Sequence, residues 1–330
     1  MADVKDTEVV NIQNLKSERL ADTAYTYLDE GEYEQALEIS RQLEEMRYTA
    51  AFEIGAIALD SLGETIAAVD LLERGMGCAD DVWINWQLLG NLYSDLDEFQ
   101  KANTAYKNAL ACVGVIDDSV NLNLSILHYR NKNYNKALAL LSTIKDKDFA
   151  YCCTDIKVSS LFCLNKIDEA ASLSEKTIQS CSDISALSQR DLDAVGRMTA
   201  SIGSIKLSQG EDKQQVKTWV MEQLLDYIGN EALLTLVRDI DSITSTECKY
   251  YRLLVECKLP EINNKYVDAS GYFVSYDIIA DDLDEALDYV AEFEDKELRG
   301  NMQIEEVDEL EHKESDQKGV YWCSVKTFYD

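Results

Sequence analysis

A chain of 330 residues that is 46% hydrophobic and 28% charged carries enough apolar material for folded cores, which excludes wholesale disorder. Its formal net charge of −31 opposes approach to nucleic acid or to an anionic membrane by Coulomb repulsion and leaves room for basic partners. One proline and 14 glycines predict long helical runs joined by short connections.

In chain order, residues 1–16 are polar with weak periodicity and read as a flexible leading segment. They lack the basic stretch followed by an apolar one that marks a secretory signal. From Ser17 a helical pattern begins, and small residues recur at Ala36, Ala68, Ala102, Ala137 and Ala170. The intervals are 32, 34, 35 and 33 residues, and a turn-like segment precedes each alanine, from DEGEYEQA in the first to CLNKIDEA in the fifth. An aromatic or aliphatic residue stands three positions before most of these alanines: Tyr33, Phe99, Tyr134 and Ile167. Residues 184–208 and 212–246 continue the helical pattern as a sixth, less regular pair and a capping helix.

At about Cys248 the period changes to two. Leu253, Val255, Cys257 and Leu259 alternate with Arg252, Glu256 and Lys258, which predicts a strand. Pro260 and Asn263-Asn264 read as a turn, and GYFVSYDIIA (271–280) as a second strand. Asp282 and Glu285 have the spacing of a capping box. The helix they open would bury Leu283, Ala286, Leu287, Val290 and Phe293. NMQIEEVDEL and GVYWCSVKTFYD predict two more strands, giving a β-β-α-β-β order.

The best-preserved member of the repeat array is Trp86–Ala109, WQLLGNLYSDLDEFQKANTAYKNA. Large residues at Trp86, Leu89, Tyr93 and Tyr106 and small ones at Gly90, Ala102 and Ala109 resemble the tetratricopeptide repeat, in which two antiparallel helices cross at the small positions. The resemblance covers roughly 17–180 and extends in weaker form to 246. The fold expected is an α-solenoid of such hairpins over 17–246 followed by a small α+β domain over 247–330, whose own family the sequence does not suggest.

The resemblance implies that the first helix of each repeat lines a concave groove for a protein partner. By register, the groove candidates are Glu18, Asp22, Tyr25, Glu53, Gln87, Asn91, Asp95, Asn123, Tyr129 and Arg130, with Asp29, Ile57, Asp60, Asp155, Ser159 and Phe162 around them. Acids outnumber cations among them, so the expected ligand is a basic or amphipathic segment. The alternative is that these acids are a solvated face of an acidic chain. Asn91 matches the asparagine of repeats that clamp a carboxylate, but the accompanying cations are absent.

Other features bound the functional reading. Residues 281–316 hold 16 Asp or Glu, which suggests as an alternative function a toxin-neutralising or regulatory protein acting through the acidic C-terminal domain. A solvated face is the plainer reading of those acids. Tyr321, Trp322, Phe328 and Tyr329 read as sheet core or as a contact patch. Nine scattered cysteines without a C-x-x-C pair read as reduced, mostly buried thiols of a cytoplasmic protein. His128 and His312 are the only histidines, and His128 reads as a packed imidazole. The carboxylate pairs Asp80-Asp81, Asp117-Asp118 and Asp281-Asp282 need not share a site. Without a phosphate loop, nucleophile elbow or metal-binding spacing, no catalytic residue, metal or cofactor is expected, and the partner is expected to be a protein or peptide; an enzyme with an unrecognised site in the C-terminal domain is the third and weakest reading.

Overall fold

The computed structural model describes residues 3–76, 82–181, 183–260, 269–294, 296–310 and 315–330, with side chains from Leu15 onward. Cys78, Asp80, Asp81, Asn263, Asn264 and His312 lie outside the described residues. The chain divides into two compact units, Met1–Phe149 and Ala150–Asp330.

The described residues of the first unit form four helical hairpins: α1 (Asp3–Asp29) with α2 (Tyr33–Glu45), α3 (Ala50–Ser61) with α4 (Thr65–Met76), α5 (Trp83–Asp95) with α6 (Phe99–Ala111), and α7 (Asp117–Arg130) with α8 (Tyr134–Leu141). The backbone of the segment expected as a leader is helical from Asp3, in keeping with a sequence that has neither Gly nor Pro before Gly31.

Each hairpin turn is built alike. A residue with positive φ stands five positions before the alanine of the second helix: Gly31 (77°), Gly63 (80°), Asp97 (58°) and Lys132 (59°). The residue after it sends its N–H back to a carbonyl five positions earlier: Glu32 to Tyr27, Glu64 to Leu59, Glu98 to Tyr93 and Asn133 to His128, each at 2.8 Å. This left-handed cap closes the helix and turns the chain. The helices then meet at the small residues. A Cβ built on Gly90 would lie 2.6 Å from the Tyr106 ring, and one on Gly75 2.5 Å from the Phe52 ring. Ala36, Ala68, Ala102 and Ala137 are fully buried.

The second unit continues the pattern with α9 (Ala150–Cys163) and α10 (Ile167–Ser180), turned at Asn165 (φ 59°). A sixth pair, α11 (Gln189–Ser208) and α12 (Lys213–Gln223), turns at Gly210 (φ 87°), and α13 (Glu231–Asp241) follows. Ser188, Asp212 and Asn230 cap α11, α12 and α13 through their side chains.

The change to strands falls between Asp241 and Lys249. β1 (Lys249–Lys258), β2 (Gly271–Ala280), α14 (Leu283–Glu292), β3 (Met302–Leu310), β4 (Gly319–Cys323) and β5 (Thr327–Tyr329) form an antiparallel sheet in the order β3-β1-β2-β4, with β5 also on β2. The architecture is an α-solenoid followed by a small α+β element.

The single terminal strand expected over 319–330 is two. Ser324 interrupts it by giving its N–H to Ser275 O and accepting the Ser275 N–H on its own hydroxyl, both at 2.9 Å, and Lys326 turns its ammonium onto the buried Glu294 at 2.7 Å. Asp282 caps α14 as expected, but Leu283 is 37% exposed: as the first helical residue it stands before the stripe formed by Ala286, Leu287, Val290 and Phe293. Glu256, expected on the polar face of β1, is buried there and accepts bonds from Tyr329 and Gln303.

One hydrophobic cluster runs from Val158 of α9 through the helices to the α14 side of the sheet, at Leu253, Tyr276 and Val290, and reaches Val320. Packing therefore groups the fifth and sixth helical pairs with the sheet.

Candidate partner-binding groove

The candidate residues fall on the first helices of the hairpins in the first unit and form two sets. Glu18, Asp22 and Tyr25 stand on α1, Glu18 and Asp22 one turn apart and both exposed. Tyr25 is half-buried, and its phenol lies close enough to the Glu53 carboxyl of α3 for the two to interact. Burial raises the Glu53 carboxyl above its ordinary value, and the interaction with Tyr25 offsets part of this. Burial, together with the negative Glu53, also raises the Tyr25 phenol.

The second set is a polar ladder between α5 and α7. Gln87 Nε2 donates to Ser119 Oγ at 3.2 Å. Asn91 Oδ1 accepts from Asn123 Nδ2 at 3.0 Å and from the Tyr106 hydroxyl at 2.8 Å. Arg130 Nη1 donates to Asp95 at 2.9 Å and to Ser94 Oγ at 3.0 Å, and Nη2 reaches Asp97 at 3.5 Å. Tyr129 packs its ring 5.8 Å from that of Tyr134.

These contacts divide the acids. Asp95 is compensated by Arg130, and Glu53 is desolvated, so the other exposed acids among the candidates are Glu18, Asp22 and Asp29, all on α1. Asp60 is tied to Thr65 at 2.8 Å. Asp155, in the second unit, is only 2% exposed and pairs with Arg197 at 2.6 Å, so its carboxylate is withdrawn from any groove surface. Ser119 and Ser94 were missed by sequence reasoning; each lies on the groove helices beside a named candidate, and neither belongs to the repeat signature. His128 is half-buried, its Nδ1 has no hydrogen-bond partner, and burial lowers its pKa.

Of the expected sheet aromatics, Trp322 and Phe328 are 43% and 45% exposed, and Tyr321 and Tyr329 are half-buried. Four of the described cysteines are buried, Cys163 is exposed, and none is in a disulfide. Among the described residues, no helix is long and apolar enough to cross a membrane, and no group of three His, Cys, Asp or Glu could hold a metal ion.

Solved structures match this arrangement of hairpins. The apo quorum sensor NprR from B. thuringiensis matches with a TM-score of 0.54 at 11% identity, over 70% of this chain and 72% of its own. PilW, a type IV pilus biogenesis factor, matches with a TM-score of 0.52 at 16% identity, over 67% and 98%. A signal-transduction ATPase with a tetratricopeptide repeat sensor, from Pyrococcus horikoshii, matches with a TM-score of 0.52 at 13% identity, over 65% of this chain and 37% of its own. The helical region has a tetratricopeptide-repeat-like fold. This chain spans little more than a third of the archaeal protein's length. No family model matches the sequence, and no curated protein does. At these identities the likeness concerns the repeat-like fold alone, in which α1, α3, α5 and α7 are the first helices.

Proposed function

We propose that this chain is a non-catalytic, cytoplasmic scaffold whose repeat-like region, within the expected 17–246, holds a protein partner with a basic or amphipathic segment. The observation that carries the reading is the placement of Glu18 and Asp22, exposed one turn apart on α1, beside the Tyr25–Glu53 pair of α1 and α3. The ladder of Gln87, Asn91, Asn123 and Arg130 supplies amide and guanidinium groups on neighbouring first helices. Such groups fix the backbone of an extended or helical segment while the acids meet its Lys or Arg side chains.

The test is fluorescence anisotropy with a labelled amphipathic Lys/Arg-rich helical peptide and the full chain. Charge reversal of Glu18, Asp22, Glu53 and Asp95 together weakens binding at least tenfold, and added salt weakens the unmutated protein in the same direction. Equal affinity of the two proteins overturns the reading.

A second reading, that the acidic C-terminal element occupies a basic site on a toxin or regulated protein, is favoured by one observation. The edge strand β3 exposes Glu305, Glu306, Asp308 and Glu309. Capture of such a partner that is abolished by neutralising β3, and not by the α1 substitutions, would select it.

A further inference from the structure

Within the second unit, the sheet face opposite α14 carries Tyr250, Arg252, Ser275 and Asp277, with Trp322 of β4 paired to Asp277 in register. A cavity of about 660 Å³ opens there, lined also by Gly229, Glu231 and Arg238 of the α12–α13 connection and α13, and by Tyr321. That volume is within the usual range for a small-molecule site.

Two cations face this space in different states. Arg252 pairs with Asp277 through Nε and Nη2, each at 2.8 Å, and Tyr250 adds a longer bond to the same carboxylate at 3.4 Å. Asp277 is thereby neutralised, and the Arg252 side chain remains 53% exposed. Arg238 is only 6% exposed. Its Nη1 donates to Val320 O at 2.6 Å and its Nη2 to Thr235 Oγ1 at 2.8 Å, and its guanidinium lies 3.8 Å from the centre of the Tyr321 ring. Its Nε is buried without a partner, and no carboxylate of the described residues is within ion-pair distance. Burial pulls its pKa below the ordinary value, with Tyr321, Asp239 and Glu231 offsetting it through space. A buried cation without a counter-ion is costly, and an incoming oxyanion removes that cost. Glu231, exposed at the rim, opposes a multiply charged ligand and so favours a single negative charge.

We propose that this cavity binds a small molecule bearing one oxyanion on a planar ring. The ring packs on Trp322, and the oxyanion is held between Arg238 and Arg252. A carboxylate and a phosphate share this chemistry, and the probes separate them.

Isothermal titration of the full chain would use indole-3-acetate, cyclic AMP, indole-3-acetamide and acetate. At least one of the two ring-bearing monoanions binds saturably; indole-3-acetate alone marks a carboxylate site and cyclic AMP alone a phosphate site. The amide and acetate, which lack the charge or the ring, bind at least tenfold more weakly. Trp322→Ala, at a side chain 43% exposed, weakens binding at least tenfold while leaving the circular dichroism spectrum unchanged. Arg238→Met abolishes binding if it folds, and Trp322→Ala carries the test if it does not. No saturable heat with either anion, an amide that binds as tightly as the acid, or an unaltered affinity in Trp322→Ala overturns the proposal.

Discussion

The ring of Tyr106 on α6 lies where a side chain on Gly90 of α5 would stand, and the Tyr106 hydroxyl donates to Asn91, the next residue along α5. One aromatic thus sets the helix crossing and supports a groove candidate. Gly90→Ala would force the ring aside. Overpacking costs about 1–3 kcal/mol, while replacing a helical glycine returns about 0.5–1 kcal/mol. The expected net loss is about 1–2 kcal/mol, measured by urea unfolding. A stabilised variant would show that the crossing relaxes freely.

The left-handed turn positions make a second test. Lys132 holds φ at 59° with a full side chain, where glycine pays no steric cost. Lys132→Gly should stabilise by roughly 1 kcal/mol, and Asn165→Gly by less, since asparagine tolerates this region. Gly31→Ala and Gly63→Ala should each destabilise by about 1 kcal/mol. Thermal unfolding of the four variants reads both signs.

How much of this was legible follows from sequence separation. The crossing of Gly90 with Tyr106 and the turns at Gly31, Gly63 and Gly210 involve residues close in the chain and recur with the repeat, so a single sequence carries them. Between neighbouring repeats the ladder is half legible: Asn91 and Asn123 could be placed by register, but Ser119 and Ser94 carry no signature. Contacts across long separations were not legible. Asp155 meets Arg197, and Arg238 meets the Val320 carbonyl, through pairings that only the folded second unit creates. The break at Ser324 escaped for a related reason, since it depends on which hydroxyl reaches Ser275.

Two carboxylates give the stability a pH dependence of unusual sign. Burial raises Asp155, with Arg197 offsetting it, and burial raises Glu53, with Tyr25 offsetting it. A raised folded-state pKa means that the native state holds the proton more tightly than the unfolded chain. Stability from these groups is therefore full below the ordinary carboxylate value and is lost as pH rises through the raised value. Arg197→Met removes the counter-ion and raises Asp155 further, so the loss extends to higher pH. Because the Arg197 side chain is 45% exposed, the cost at neutral pH should be about 1–3 kcal/mol, shrinking on acidification. Glu53→Gln should flatten the same dependence without a loss at neutral pH. Unfolding curves across the acidic range check both, and identical pH slopes for Arg197→Met and the unmutated protein would refute the assignment.

Lys217 of α12 is the clearest link between the last helices and the sheet. Its ammonium lies 2.7 Å from Asp241 of α13 and 2.6 Å from Glu292 of α14, with the side chain only 10% exposed. Lys318, before β4, pairs with Asp281 and Glu285 at 2.8 and 2.6 Å, and Arg238 binds the Val320 carbonyl. The segment 247–330 taken alone would lose the α13 side of this packing and leave Glu292 and the Val320 carbonyl without these partners. It should therefore fail to unfold cooperatively, whereas 150–330 retains the cluster from Val158 to Val320 and should give one sharp transition. Within the full chain, Lys217→Met should cost about 1–3 kcal/mol, below the range for a fully buried pair because Glu292 is 41% exposed. Urea titrations followed by circular dichroism decide the matter: a cooperative transition in 247–330 would make the sheet an independent domain and Lys217 a dispensable contact.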